Sequence, residues 1–131
     1  MPVPITAVYA SALALFVAAL ALFVVRQRNK YAVGIGHGDV KEVERAVRVH
    51  ANAVEYVPLA VVMLALLELD GAPGPWVHAF GATLLVARVL HAIGLGRSSG
   101  RSFGRFWGTT LTIVVWIGLG IANVALVVTK L

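Results

Sequence analysis

The sequence predicts an all-α membrane protein, a four-transmembrane-helix bundle in a single domain over residues 1–131. Composition and the spacing of the uncharged segments predict this class. The chain is 60% hydrophobic and 13% charged, whereas soluble domains are about 45–50% apolar and about 25% charged. Because a short chain keeps much of its surface in solvent, it could not bury that excess. A soluble globular enzyme is therefore excluded.

The uncharged segments define four spans, at roughly 4–25, 52–69, 75–96 and 106–129. The first and the last are uninterrupted runs of 22 and 24 residues. A helix rises about 1.5 Å per residue, so each run can cross an apolar layer of about 30 Å. The first run is followed by positive charges, whereas a cleavable signal peptide is preceded by them. We therefore expect the first span to be retained.

The two middle spans contain polar residues. Each of the uncharged runs 56–67 and 76–87 covers only about 18 Å as a helix, which is too short for a bilayer. They cross only when extended through Glu55 and Arg88, so both groups must lie in or near the hydrocarbon layer. The turn over 69–75 is rich in glycine and proline, which predicts an antiparallel hairpin of the second and third helices.

The distribution of positive charge predicts the orientation. Segment 26–50 carries six Lys or Arg residues and segment 96–105 carries three, whereas the opposite side has Lys130 with Glu68 and Asp70. The positive-inside rule predicts that both basic segments are cytoplasmic and both termini lie on the non-cytoplasmic side. The chain has no cysteine, so it has no thiolate metal site. We expect no metal and no nucleic-acid partner.

A polar stripe leads into the second span. Asp39, followed by Glu42, predicts a capping box that opens this helix. The side chains that follow are spaced 3, 4 and 3 residues apart and therefore share one face: Arg45, Arg48, Asn52 and Glu55. Polar residues at the depth of the last two usually face the bundle interior and are paired.

The third span offers a partner for this stripe, because Arg88 and His91 share one of its faces. The antiparallel arrangement places Arg88 and Glu55 at matching depths. An unpaired buried charge would cost several kcal/mol, so we predict an ion pair between Glu55 and Arg88, within one chain or between subunits. The pair either fixes only the register of the bundle or belongs to a binding site.

A basic pocket is predicted at one cytoplasmic level beside lipid. Guanidinium groups bind carboxylates in bidentate fashion, so the pocket suits a small anion with several carboxylates. Its apolar walls would admit a lipophilic second substrate. In the loop that follows, Arg101 and Ser102 either form an ordinary connection or stabilise a thiolate. The other pocket residues are Arg48, Asn52, His91 and Arg105.

Three segments resemble signatures of the MAPEG family, the membrane-associated proteins in eicosanoid and glutathione metabolism. Residues 44–58 are similar to its second helix, 87–95 to its third helix, and 97–102 to the following loop with its Arg-Ser pair. The layout of four spans also matches, and with its departures from the eicosanoid synthases the chain looks more like the small bacterial branch. The resemblance implies a homotrimer in a bacterial inner membrane, with glutathione as co-substrate bound between subunits near the cytoplasmic face.

The resemblance also implies roles for individual residues. Arg48, Asn52 and Glu55 would contact glutathione, Arg88 and His91 would help to hold it, and Arg101 with Ser102 would stand near its sulfur. Two positions depart from the eicosanoid synthases: Ala51 replaces a basic residue, and Leu95 replaces a tyrosine that helps to bind glutathione. These departures argue against prostaglandin synthesis.

Two functions remain open at this point. The first is a glutathione transferase-like or peroxidase-like protein that uses glutathione to conjugate or reduce lipophilic electrophiles. The second is a non-catalytic scaffold that binds lipid or another ligand with the same fold. A small four-span exporter is disfavoured, because its first span would carry a carboxylate and here that span is uncharged.

Overall fold

The computed structural model describes residues 2–97 and 102–131, so Arg101 lies outside the described residues. Within these ranges the chain is all-α, and the four predicted spans fall on four helices. Each helix is long and apolar enough to cross a membrane. Their bounds are Pro4–Tyr31 (α1), Lys41–Leu69 (α2), Gly74–Arg97 (α3) and Phe103–Val128 (α4).

The first helix is capped by a residue from the end of the second. Pro4 is the first residue of α1. Proline has no backbone N–H, and at this position an N–H would have no acceptor within the helix, so no hydrogen bond is lost. The next two amides, of Ile5 and Thr6, donate to the Glu68 carboxylate at 2.9 and 2.7 Å. A negative charge at a helix N-terminus is also favoured by the helix dipole. Glu68 therefore joins α1 to α2 at this end of the bundle.

The predicted capping box at the start of α2 is wrong. The helix begins at Lys41, its N-cap is Val40, and no side chain caps it. Asp39 precedes the N-cap and has a φ of 57°, so its carboxylate is not in the capping position. Pro58 lies inside α2, and the helix continues through it to Leu69.

Glycines bring α3 and α4 into close contact. A Cβ added to Gly94 of α3 would lie 2.3 Å from the backbone nitrogen of Arg105 on α4. A Cβ added to Gly108 would lie 2.6 Å from the backbone nitrogen of His91. Only glycine allows this separation, and it places His91 directly against the first turns of α4.

The bundle is held together by an apolar core and by hydrogen bonds from α4 to α2. Leucines and valines from all four helices form the core. The indole nitrogen of Trp116 donates to the Tyr56 carbonyl at 3.3 Å, and the Asn123 amide donates to the Met63 carbonyl at 3.1 Å. The outward faces of the helices remain apolar and exposed, as expected of helices surrounded by hydrocarbon.

Candidate functional site

A cavity of about 580 Å³ opens between α2, α3 and α4, at the end of the bundle where α2 and α4 begin. Four of its described lining residues are cationic and one is acidic, as expected for a basic, donor-rich pocket. The lining residues are Lys41, Glu44, Arg45, Arg48, Asn52, Tyr56, His91, Leu95, Arg105 and Thr109.

The side chains of the site lie at successive depths, because α3 runs antiparallel to α2 and α4. Residues three or four apart on each helix point the same way, about one turn deeper or shallower. From the outer level to the floor, the three sets are Arg48, Leu95 and Arg105; Asn52, His91 and Thr109; and Tyr56, Arg88 and Thr112. In the floor set only Tyr56 lines the cavity, and Arg88 and Thr112 lie buried beneath it.

At the middle level His91 is held against α4. Its Nδ1 lies 3.0 Å from the Thr109 hydroxyl oxygen. The residue is only 3% exposed, and no hydrogen bond from the described residues reaches its Nε2. One imidazole nitrogen therefore fixes the ring, while the other is buried without a hydrogen-bond partner among the described residues.

At the floor Arg88 is 1% exposed. One terminal nitrogen donates to Asn52 Oδ1 at 2.5 Å, and the other donates to the Thr112 hydroxyl at 3.4 Å. The guanidinium carbon also lies 5.4 Å from the centre of the Tyr56 ring, within the range of a cation–π interaction. All of these partners are neutral.

The predicted ion pair between Glu55 and Arg88 is wrong within one chain, and its alternative form between subunits stays a prediction. Both residues are described, no ion pair joins them, and Glu55 is exposed on the outer surface of α2. Asn52 and Glu55 differ by about 60° around the helix axis, so Asn52 faces α3 and Glu55 does not. The burial of Arg88 within its own bundle opposes a pairing with a second subunit. The cavity nevertheless forms without this pair.

The other predicted site residues are distributed as follows. Arg48, Asn52, His91 and Arg105 line the cavity, whereas Glu55 and Arg88 do not. Ser102 is the N-cap of α4, where its hydroxyl oxygen accepts a hydrogen bond from the Arg105 amide at 3.3 Å.

Some lining residues were not predicted as part of the site. Lys41 and Arg45 continue the stripe of Arg48 towards the start of α2, with spacings of four and three residues, so the periodicity of the helix could have identified them. Thr109 carries no such signal, because its role depends on the position of α4 against His91.

Comparisons with known proteins identify the family of the chain. Residues 6–125 match the MAPEG family. The chain is also 40% identical over 90 residues to the inner membrane protein YecN of Escherichia coli strain K12, and to YecN of E. coli O6:H1 strain CFT073. Each alignment covers 69% of this chain and 69% of the relative.

The chain therefore belongs to the MAPEG family, which confirms the resemblance noted from its second and third helices. With four helices able to span a bilayer and a relative named as an inner membrane protein, it is a multi-pass inner membrane protein of the glutathione transferase-like family.

Proposed function

We propose that this protein binds glutathione in the cavity between α2, α3 and α4 and uses its thiol to conjugate or reduce lipophilic electrophiles. The observation that carries the proposal is the concentration of cationic side chains around a pocket large enough for a small peptide. In this proposal the pocket opens to the cytoplasm and both termini lie on the other side, as the basic segments favour.

The chemistry of glutathione fits the lining. Its two carboxylates suit guanidinium groups such as those of Arg45 and Arg48, which bind carboxylates in bidentate fashion. Its ammonium group suits Glu44, the acidic residue among the described lining residues. At the deeper level, Asn52 and His91 supply further hydrogen-bonding groups.

The proposed reaction depends on the thiolate. A free thiol has a pKa of about 8.5 and ionises more readily beside arginine. Arg105 lines the cavity, and in this proposal Arg101 and Ser102 also stand near the sulfur. The thiolate attacks an electrophilic carbon, forms the C–S bond and displaces the leaving group with its electron pair. With a hydroperoxide it attacks the terminal oxygen, so that an S–O bond forms as the O–O bond breaks, and the departing alkoxide takes a proton to become the alcohol. A second glutathione thiol then converts the sulfenic acid to the disulfide and releases water.

Assembly as a homotrimer is part of this proposal, with a neighbouring subunit covering the open side of the cavity so that the bound glutathione lies between subunits. Glu55 supports it, because its carboxylate is exposed on α2 within a segment able to span a membrane. A carboxylate facing lipid is costly, so a neighbouring subunit or a ligand bound at the interface would lower the free energy of this surface.

A non-catalytic scaffold is the second candidate function. Leu95 lines the cavity at the level of Arg48 and Arg105, and as an aliphatic side chain it offers no hydrogen bond to a peptide. The apolar chain of a lipid-like ligand could pack against this aliphatic part of the lining.

Thermal unfolding of the purified protein with glutathione tests the proposal. We expect the Tm to rise with glutathione concentration, because a ligand at about 100 times its Kd stabilises a protein by about 2.7 kcal/mol. Replacing Arg48 with alanine should raise the Kd about tenfold or more, since a lost charge-assisted hydrogen bond is worth about 1.5–3 kcal/mol. Arg26→Ala on exposed α1 is the control, because Arg26 does not line the cavity.

Two outcomes would contradict the proposed function. An unchanged Tm well above millimolar glutathione would favour the scaffold. A glutathione-dependent rise in Tm without thiolate absorbance or turnover would retain binding and remove the reaction.

A further inference from the structure

We propose that Arg88 is a positioning residue. It orients the Asn52 amide so that only N–H donors face the cavity, and it places an unneutralised positive charge beneath the bound anion. This inference rests on the proposed binding of an anionic ligand. It differs from a direct contact between Arg88 and ligand, which the burial of the guanidinium opposes.

The hydrogen bond between the two residues determines the orientation of Asn52. A guanidinium has donors and no acceptor, so the amide atom that faces Arg88 must be the oxygen. The structure has this arrangement, with Arg88 donating to Asn52 Oδ1. Asn52 also lines the cavity, and its remaining polar atom is the nitrogen. The ligand group at this depth must therefore accept a hydrogen bond, as a carboxylate, a carbonyl or a thiolate does.

The guanidinium is held in place by its other contacts. Thr112 accepts from Arg88 at 3.4 Å, and the Thr112 hydroxyl donates to the Gly108 carbonyl at 2.7 Å. The Tyr56 ring covers the guanidinium at 5.4 Å. Because these contacts come from both α2 and α4, Arg88 cannot turn away without opening the bundle.

The charge of Arg88 is not neutralised by an acidic side chain among the described residues. The ion pairs found there join Arg45 to Glu42 and Lys130 to Asp70. A charge in a medium of low dielectric constant acts over a longer distance than one in water. A ligand anion at the level of Asn52 therefore interacts favourably with Arg88 without touching it.

Replacing Asn52 with aspartate tests both parts of the inference. Aspartate has nearly the same shape, but its carboxylate supplies acceptors in place of the amide donors and pairs with Arg88. We expect the Asn52→Asp protein to unfold at a higher Tm than the wild type. We also expect its Kd for glutathione to rise at least about thirtyfold, equivalent to about 2 kcal/mol.

A matched control is available on α4. Asn123 donates to two backbone carbonyls in the apolar region and does not line the cavity. The Asn123→Asp protein should unfold at a lower Tm, because it replaces two donors with a carboxylate, while its Kd for glutathione stays within about twofold. Arg88→Lys, which keeps the charge, should bind glutathione more tightly than Arg88→Gln, which loses the charge.

The Tm measurements and the Kd measurements distinguish the possible outcomes. A fall in Tm for Asn52→Asp like that of Asn123→Asp would overturn the inference, even if the wild type does not bind glutathione. An Asn52→Asp protein that is folded and keeps its affinity would also overturn it. Absence of glutathione binding by the wild type would refute the proposed function, while the Tm comparison would still decide whether Arg88 is unneutralised.

Discussion

At the scale of single residues, the rotation of α2 decides the composition of the site. Asn52 and Glu55 belong to one polar stripe in the sequence and are three residues apart, yet only Asn52 reaches Arg88. The depth of both residues could be predicted from the length of the spans. The sequence could not predict which of the two faces α3. The two side chains differ by about 60° around the helix axis, and one face of a helix is wider than that.

Glu68 shows a second interaction that the sequence does not reveal. Its carboxylate accepts hydrogen bonds from two amides at the start of α1, 62 and 63 residues away in the chain. From the sequence alone it is an acidic residue in the outer turn. Its capping role depends on how α1 packs beside the end of α2.

We predict that Glu68→Gln lowers the free energy of unfolding by about 1–2 kcal/mol, because one carboxylate oxygen is replaced by a donor that cannot cap an amide. Thermal unfolding in detergent measures this change. Asp70→Asn is the comparison, since Asp70 has an exposed ion pair with Lys130 and such pairs contribute about 0–1 kcal/mol. Equal effects of the two substitutions would contradict the capping role.

At the scale of elements, the close contact of α3 with α4 positions one wall of the cavity. Gly94 and Gly108 allow the two backbones to meet, and His91 and Thr109 are brought together as a result. In α2 the buried face instead carries ordinary apolar side chains. The buried face of α2 therefore packs through side chains that can adjust, whereas the glycine contact joins two backbones.

We predict that Gly94→Ala destabilises the protein by about 1–3 kcal/mol, the typical cost of overpacking. The added methyl group would meet the backbone of α4, which cannot rotate away as a side chain can. Gly120→Ala on α4 is the control, because its new Cβ would lie 3.7 Å from the flexible end of Met63 on α2 and would meet no backbone atom. Thermal unfolding should show a lower Tm for Gly94→Ala than for Gly120→Ala. Equal Tm values would contradict the close contact of α3 with α4.

At the scale of the whole molecule, the bundle has two ends of different chemistry. The end where α2 and α4 begin carries the cationic cavity. The opposite end carries the Glu68 cap, the Tyr9–His78 hydrogen bond of 3.0 Å and the Lys130–Asp70 pair. This asymmetry matches the uneven distribution of basic segments and supports the proposed orientation.

Cysteine labelling tests that orientation without background, because the chain has no cysteine of its own. Ile35 in the α1–α2 loop is 92% exposed, and Leu131 at the C-terminus is fully exposed. We expect a membrane-impermeant thiol reagent to label Leu131→Cys in intact spheroplasts and Ile35→Cys only after permeabilisation. The reverse pattern would place the cavity on the non-cytoplasmic side.

The sequence by itself determined the four helices, their approximate limits and the family. Apolar runs, breakers and charge asymmetry are local signals, and the hydrocarbon layer requires each backbone polar group to be satisfied within its own helix. The gathering of Arg48, Asn52, His91 and Arg105 around one pocket also follows from helical spacing and an antiparallel hairpin.

Only the tertiary structure decided which groups meet inside the bundle. The partners of Arg88, the contact of Thr109 with His91 and the cap formed by Glu68 depend on the rotation and separation of whole helices. These are set by many weak packing contacts at once, among them the glycines of α3 and α4. No local sequence pattern contains the combined effect of these contacts. The guanidinium of Arg88, which the sequence predicted beside a carboxylate, therefore lies against an amide, a hydroxyl and an aromatic ring.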